Sequence, residues 1–147
     1  MSRIRGKGNK TTEIALAGAL RKAGITGWRR HVTLKLKVKS GRKSGGVMPE
    51  LVVVTPDFLF RKAKLVVFVD GCFWHQCPLH SKVPENNHEF WAQKLRRNVE
   101  RDRRADRALR TEGWRVLRLW EHALRNPACA AQKVKRRLQR NESPRIQ

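Results

Sequence analysis

One stretch constrains the fold of this chain more than any other. Leu65-Val66-Val67-Phe68-Val69 is an unbroken apolar run, too short for a typical helix and without the alternation of a half-exposed strand, so it reads as a buried core strand. It ends on Asp70-Gly71 and passes directly into Cys72-Phe73-Trp74-His75-Gln76-Cys77-Pro78-Leu79-His80. Two of the three cysteines and two of the five histidines fall in that short segment. A rigid strand feeding a loop dense in soft ligands is a platform that presents a reactive or metal-pinned edge.

The rest of the chain must supply the layers around that strand. The 147 residues have the size of one domain. They divide into a basic arm (1–10), a single domain (11–140) and a polar tail (141–147). No apolar run approaches the roughly 20 residues of a membrane helix, and Met1-Ser2-Arg3-Ile4-Arg5 has no signal-type hydrophobic segment. The expectation is a cytoplasmic protein with no membrane partner. In that compartment, cysteines beside histidines read as metal ligands rather than as a disulfide frame. The formal net charge of +22 is the dominant compositional fact. Self-repulsion on that scale is relieved by a polyanion, and double-stranded DNA is the expected partner.

Taken in order, Ile14, Leu16, Ala17, Leu20 and Ala23 recur at helical spacing. Thr11 or Thr12 is a candidate N-cap and Gly24 a candidate stop. Glu13 then lies in the first turn, where a carboxylate favours the helix dipole. Residues 28 to 38 alternate, with His31, Thr33, Lys35 and Lys37 against Val32, Leu34, Leu36 and Val38, and read as one half-buried strand. A Gly/Ser/Lys loop follows. Met48 to Phe60 and Leu65 to Val69, joined by the polar turn Arg61-Lys62-Ala63-Lys64, read as a hairpin carrying Asp57 on its first strand and Asp70 at the end of its second. Glu89 to Glu112 is a basic helix stopped by Gly113, Trp114 to Trp120 an alternating strand, and 128 to 140 a basic helix after the interruption at Pro127. The order α-β-β-β-α-β-α suggests an α/β fold with a mixed central sheet flanked by helices.

Three groups of residues carry chemistry. Cys72, Cys77 and His80 offer two thiolates and an imidazole. Zinc in a structural site takes four tetrahedral ligands, and His122, just beyond a strand end, is the best candidate for the fourth, with Cys129 and His88 in reserve. Four protein ligands leave no open position for water, so the reading is a structural zinc, with buried unliganded cysteines as the alternative. The second group is carboxylates at strand ends: Asp57 and Asp70 have the spacing of a metal-dependent phosphodiesterase core, in which anionic oxygens hold Mg²⁺ against a phosphate. The usual glutamate-x-lysine pair is missing after Asp70, and His75 is the nearest candidate base. A turn-capping role for Asp57 is the alternative. The third group is aromatic. Phe73, Trp74, Phe90 and Trp91 adjoin basic stretches and could unstack base pairs, whereas Trp114 and Trp120 read as core.

Taken together, Pro56-Asp57-Phe58, Gly71-Cys72-Phe73-Trp74-His75, Glu89-Phe90-Trp91, Asn98-Val99-Glu100-Arg101-Asp102-Arg103-Arg104 and Gly113-Trp114-Arg115-Val116-Leu117 with Trp120-Glu121 resemble the very-short-patch-repair (Vsr) mismatch endonucleases. The resemblance runs from about Arg5 to Leu124 and is poorer between Arg29 and Glu50. It implies a restriction-endonuclease-like fold with catalytic Mg²⁺ and structural Zn²⁺, acting as a monomer in a bacterial or phage-infected cell and nicking one DNA strand beside a T·G mismatch. By position it implies Asp57 as the central Mg²⁺ ligand with the backbone carbonyl of Val69, and His75 as the base or water-orienting residue supported by Asp102. It further implies Glu13 as a site residue and Phe73, Trp74 and Trp91 as a wedge, with Asn98 and Arg101 on DNA. The zinc set maps as Cys72, Cys77, His80 and His122. Two features depart from the family. Asp70 stands where many members carry a histidine and could itself bind metal and take part in catalysis, and Leu36 to Val47 replaces a usually short link. The competing readings are a site-specific endonuclease of the same superfamily cutting paired DNA, and a zinc-stabilised DNA-binding module without catalysis.

Overall fold

A computed structural model of the chain describes residues 10–39, 49–72, 77–79 and 82–140. Helix α1 (Lys10–Lys22) is followed by five strands, β1 (Trp28–Arg30), β2 (Leu34–Lys39), β3 (Pro49–Val54), β4 (Phe58–Phe60) and β5 (Leu65–Asp70). Helix α2 (His88–Thr111), strand β6 (Arg115–Trp120), a 3₁₀ turn over Glu121–Arg125 and helix α3 (Pro127–Gln139) complete the order. The main sheet runs β1-β4-β5-β6. Its first two pairings are antiparallel and β5–β6 is parallel, so α2 is the crossover that a parallel neighbour requires. The sheet is mixed, with helices on both faces.

Period-two geometry on β5 explains why its sequence shows no alternation. Leu65, Val67 and Val69 face a cluster with Leu16, Ala17 and Leu20 of α1 and Ala130, Ala131 and Val134 of α3. Val66 and Phe68 face a second cluster with Ala105, Ala108 and Leu109 of α2. Both faces are covered, so both sets are apolar. Leu65, Val66 and Val67 are fully buried, and each such side chain stabilises the fold by about 1.5–3 kcal/mol.

Several sequence expectations shift. Residues 28 to 38 form two strands, not one: His31 takes φ 53, which turns the chain out of the main sheet. Strand β1 then pairs with β4, whereas β2 leaves to pair with β3 in a separate two-stranded ribbon. The hairpin is β4–β5, closed by the 61–64 turn, and its first strand begins only at Phe58. Asp57 therefore sits in the bend before β4 rather than within a strand. Thr11 and Thr12 lie inside α1, which starts at Lys10. Pro127 opens α3 instead of interrupting it, because a first-turn proline loses no helical hydrogen bond; the Asn126 side chain caps the same end by accepting from the Cys129 N–H at 3.3 Å. Trp114 and Trp120 are half-buried.

Gly24 and Gly113 do end their helices, at φ 71 and 85. Each permits the same pair of closing bonds, Ile25 N–H to Leu20 C=O with Gly24 N–H to Arg21 C=O, and Trp114 N–H to Leu109 C=O with Gly113 N–H to Arg110 C=O. A left-handed residue is required there, which glycine supplies without steric cost. No helix among the described residues is long and apolar enough to cross a membrane.

Candidate active site

Two carboxylates and an imidazole meet where α1, β1 and the bend before β4 converge. The ligand atoms of Glu13, His31 and Asp57 all lie within 4.8 Å of one another. Glu13 belongs to the buried stripe of α1, in line with Leu16, Ala17 and Leu20 at i+3, i+4 and i+7, and only 4% of it is exposed. Its Oε2 accepts from Arg30 at 2.7 Å and lies 2.8 Å from His31 Nε2. His31 Nε2 is also 4.0 Å from Asp57 Oδ1. Asp57 Oδ2 accepts the Val69 N–H at 2.7 Å, which ties the bend to the end of β5. The N–H and C=O of one strand residue point to the same side, so the Val69 carbonyl opens toward Asp57 too.

Electrostatics divide the two acids. Burial pushes the Glu13 carboxyl up, but the bonds from Arg30 and His31 outweigh it and hold the group below its ordinary value. Asp57 goes the other way. Burial, followed by the Glu13 charge and its hydrogen bond, overrides the Val69 N–H and raises Asp57 to about 7. At neutral pH Glu13 is ionised and Asp57 is poised between its two forms, a separation characteristic of functional carboxylate pairs.

Asp70 is placed elsewhere. It follows Val69 on β5 and so points to the opposite face, where only 4% of it is exposed. Arg118 Nη1 donates to both its oxygens at 3.0 and 3.1 Å. The same guanidinium donates to Asp106 at 2.7–3.1 Å and lies 3.8 Å from an Asp102 oxygen, with its carbon 4.2 Å from the Phe68 ring centroid. Burial alone would lower the Arg118 pKa, but Asp106, Asp70 and Asp102 together raise it. Asp70 and Asp102 thus meet around Arg118, on the α2 side of the sheet.

A third group forms just beyond the C-terminal end of β5. Cys72, Cys77 and His122 bring their ligand atoms within 4.8 Å of one another, with His122 Nδ1 at 3.4 Å from Cys72 Sγ and 3.6 Å from Cys77 Sγ. Two tetrahedral zinc ligands, sulfur at about 2.3 Å and nitrogen at about 2.05 Å, stand about 3.6 Å apart, so the donor set and spacing both fit Zn²⁺. Without a cation, burial and the neighbouring Cys77 and Glu121 push the Cys72 thiol up. The Cys77 N–H donates to the Cys72 carbonyl at 2.9 Å, which holds the two cysteines together. Phe73, Trp74, His75 and His80 lie outside the described residues.

On α2, Trp91 is half-buried and Phe90 is 58% exposed. Their rings make an edge-on pair with centroids 5.5 Å apart, and Lys94 Nζ lies within 6 Å of both. Asn98 is half-buried and Arg101 exposed on the same helix. Cys129 is exposed on α3 and His88 exposed at the start of α2.

The sequence pattern missed four residues of these clusters: Arg30, His31, Asp106 and Arg118. His31 was hidden by an alternation that continues across the break it creates. Arg118 left a readable trace, since a charge in register with Val116 on a core strand requires a buried partner.

Known proteins resemble this chain over much of its length. Residues 42–80 match the family described as DNA mismatch endonuclease Vsr. The type II nicking enzyme V.NaeI of Lentzea aerocolonigenes is 44% identical over 119 residues, 81% of this chain and 64% of that protein. The type II nicking enzyme V.NmeDIP of Neisseria meningitidis serogroup C is 36% identical over 67% of this chain and 82% of its own length. DNA mismatch endonuclease Vsr of Escherichia coli K12 is 51% identical over 72 residues, 48% of this chain and 46% of that protein. The chain thus spans just under two thirds of V.NaeI and about half of the E. coli protein. With a relative matched over most of its length, the chain belongs to the Vsr endonuclease family.

Proposed function

We propose that the protein is a Mg²⁺-dependent DNA endonuclease of restriction-endonuclease-like architecture, acting in the bacterial cytoplasm and nicking one strand of duplex DNA beside a T·G mismatch. The observation that carries this reading is the Glu13–His31–Asp57 cluster, within 4.8 Å, in a family of endonucleases. Its two carboxylates are hard oxygen donors of the kind Mg²⁺ prefers. Asp57, Glu13 and the Val69 carbonyl would hold the ion, which supplies Lewis-acid stabilisation of the phosphate when bound. His31, with its side chain 54% exposed, is open to a phosphate or an attacking water and adds a position that the sequence did not suggest. His75 is assigned as the base or water-orienting group, supported by Asp102. Phe73, Trp74 and Trp91 are assigned to the wedge; mismatched pairs cost least to unstack, which is a source of selectivity. Asn98 and Arg101 extend the DNA contact along α2.

The deciding assay incubates the purified protein with Mg²⁺ and end-labelled matched, T·G and other mismatched duplexes, reading strand and position of cleavage. Nicking confined to the T·G duplex is expected. Equal cutting of the matched duplex would replace mismatch recognition by site-specific cleavage, and no cutting of any duplex would leave a binding module.

Zn²⁺ is assigned to Cys72, Cys77, His80 and His122 as a structural ion. Cys77→Ser is expected to reduce bound zinc from one per chain to a small fraction, measured by elemental analysis. Full zinc occupancy in that variant would remove Cys77 from the ligand set.

A further inference from the structure

The ribbon formed by β2 and β3 has two faces of different character. Leu36 and Val54 are buried, and with Leu34, Val38 and Val52 they pack into the cluster that contains Ala105, Ala108 and Leu109 of α2. Arg104 of α2 and Glu50 of β3 form an ion pair across the same junction. The outward face carries Lys35 directly opposite Val53 and Lys37 directly opposite Leu51. Both lysines are exposed, and Leu51 and Val53 remain 54% and 57% exposed. Two cations beside two aliphatic side chains on one flat face suit a ligand that is anionic at its margins and apolar at its centre.

The ribbon is also rooted in the acid cluster. Strand β2 begins three residues after His31, and β3 ends three residues before Asp57. The two stems are joined by the Thr33 and Thr55 hydroxyls at 3.0 Å and by the His31 N–H donating to the Asp57 carbonyl at 3.4 Å. Six paired positions at about 3.4 Å each reach about 20 Å from the cluster, roughly six base pairs of duplex. Lys35 and Lys37, two positions apart, are separated by about the rise of two base pairs.

We propose that the β2–β3 ribbon is a DNA-reading arm that enters the major groove beside the cut, with Lys35 and Lys37 on backbone phosphates and Leu51 and Val53 against thymine methyl groups. The major groove is wide enough for a two-stranded ribbon, and the thymine C5-methyl is exposed there to apolar contact. The chain's charge of +22 favours a nucleic acid over a protein as occupant of this face. The inference rests on the proposed DNA endonuclease function and adds a specificity-determining surface to it. Solubilising lysines on an open strand edge are the competing explanation, and it predicts no effect on DNA.

The test uses the full-length protein and fluorescence anisotropy with a 30-base-pair duplex containing one T·G mismatch. Lys35→Ala/Lys37→Ala should flatten the log–log salt dependence of affinity by about 1.8. For the wild type, replacing the thymines within about six base pairs of the cut by uracil, leaving the mismatch intact, should weaken binding about three- to tenfold. Leu51→Thr/Val53→Thr, which keeps strand-forming residues, should lose that discrimination. Circular dichroism and melting curves confirm folding of each variant. If both variants keep the wild-type salt slope and uracil sensitivity while the wild type binds and nicks, the ribbon assignment is overturned and the endonuclease reading stands. If the wild type binds no duplex, both are overturned.

Discussion

Replacing Asp57 by asparagine is expected to abolish nicking while leaving duplex affinity within a few-fold, and to make the metal-free protein more stable at alkaline pH. The amide oxygen can still accept the Val69 N–H, and the amide nitrogen can still donate to Glu13, so the local geometry survives. What disappears is the negative charge that would hold the divalent ion against the phosphate. Its removal should slow cleavage by on the order of a thousandfold. The stability effect follows from the raised carboxyl pKa, from an ordinary value of 3.8 to about 7. Native Asp57 binds its proton more tightly than the unfolded chain does. Its contribution therefore favours folding fully below about pH 4 and is lost as the pH rises through 7. Asparagine cannot ionise and escapes that loss. The variant should exceed wild type by on the order of 4 kcal/mol at pH 8, and the difference should vanish by about pH 4. Urea unfolding at the two pH values measures it. Equal stabilities at pH 8, or metal-dependent nicking by the variant, would remove Asp57 from the proposed role.

Arg118→Met is expected to be among the most destabilising single substitutions, at about 3–5 kcal/mol. Methionine fills much of the volume and retains contact with Phe68, so the loss reports the charge. Asp70, with its side chain 6% exposed, would lose the guanidinium 3.0 Å away, and Asp106 a partner at 2.7 Å. A second substitution, Asp70→Asn, should recover part of the loss in the Arg118→Met background, since the two groups are directly coupled. Urea unfolding at pH 7 of the two single variants and the double variant reads this coupling. A loss below about 1 kcal/mol would mean that the cluster is solvated rather than buried. The same series separates two roles for Asp70. A structural partner of Arg118 predicts that Asp70→Asn loses stability but keeps Mg²⁺-dependent nicking below its melting temperature. A metal ligand predicts the reverse.

Much of this arrangement was legible in local pattern. The uninterrupted run from Leu65 to Val69 announced a strand covered on both sides, and the helical spacing of Leu16, Ala17 and Leu20 defined a buried stripe that also contains Glu13. The cysteine and histidine spacing pointed to Cys72, Cys77 and His80, with His122 beyond a strand end as the fourth ligand; Cys72, Cys77 and His122 do meet, and His80 lies outside the described residues. The strand and helix patterns repeat within one element, and the cysteines lie close together in the chain, so the sequence alone displays them. Three others depend on contacts between elements. The positive φ of His31 breaks an alternation that continues unchanged on both sides of it, and that break turns a polar strand residue into a neighbour of Glu13 and Asp57. The exposed face of β2–β3 exists because β3 pairs with β2 and not with the main sheet. Asp70 had two available partners, a metal with Asp57 or a cation across the sheet. Its position immediately after Val69 sends it to the opposite face, and the parallel register of β6 delivers Arg118 there. Local chemistry named the ligands; long-range pairing and strand parity decided which of them meet.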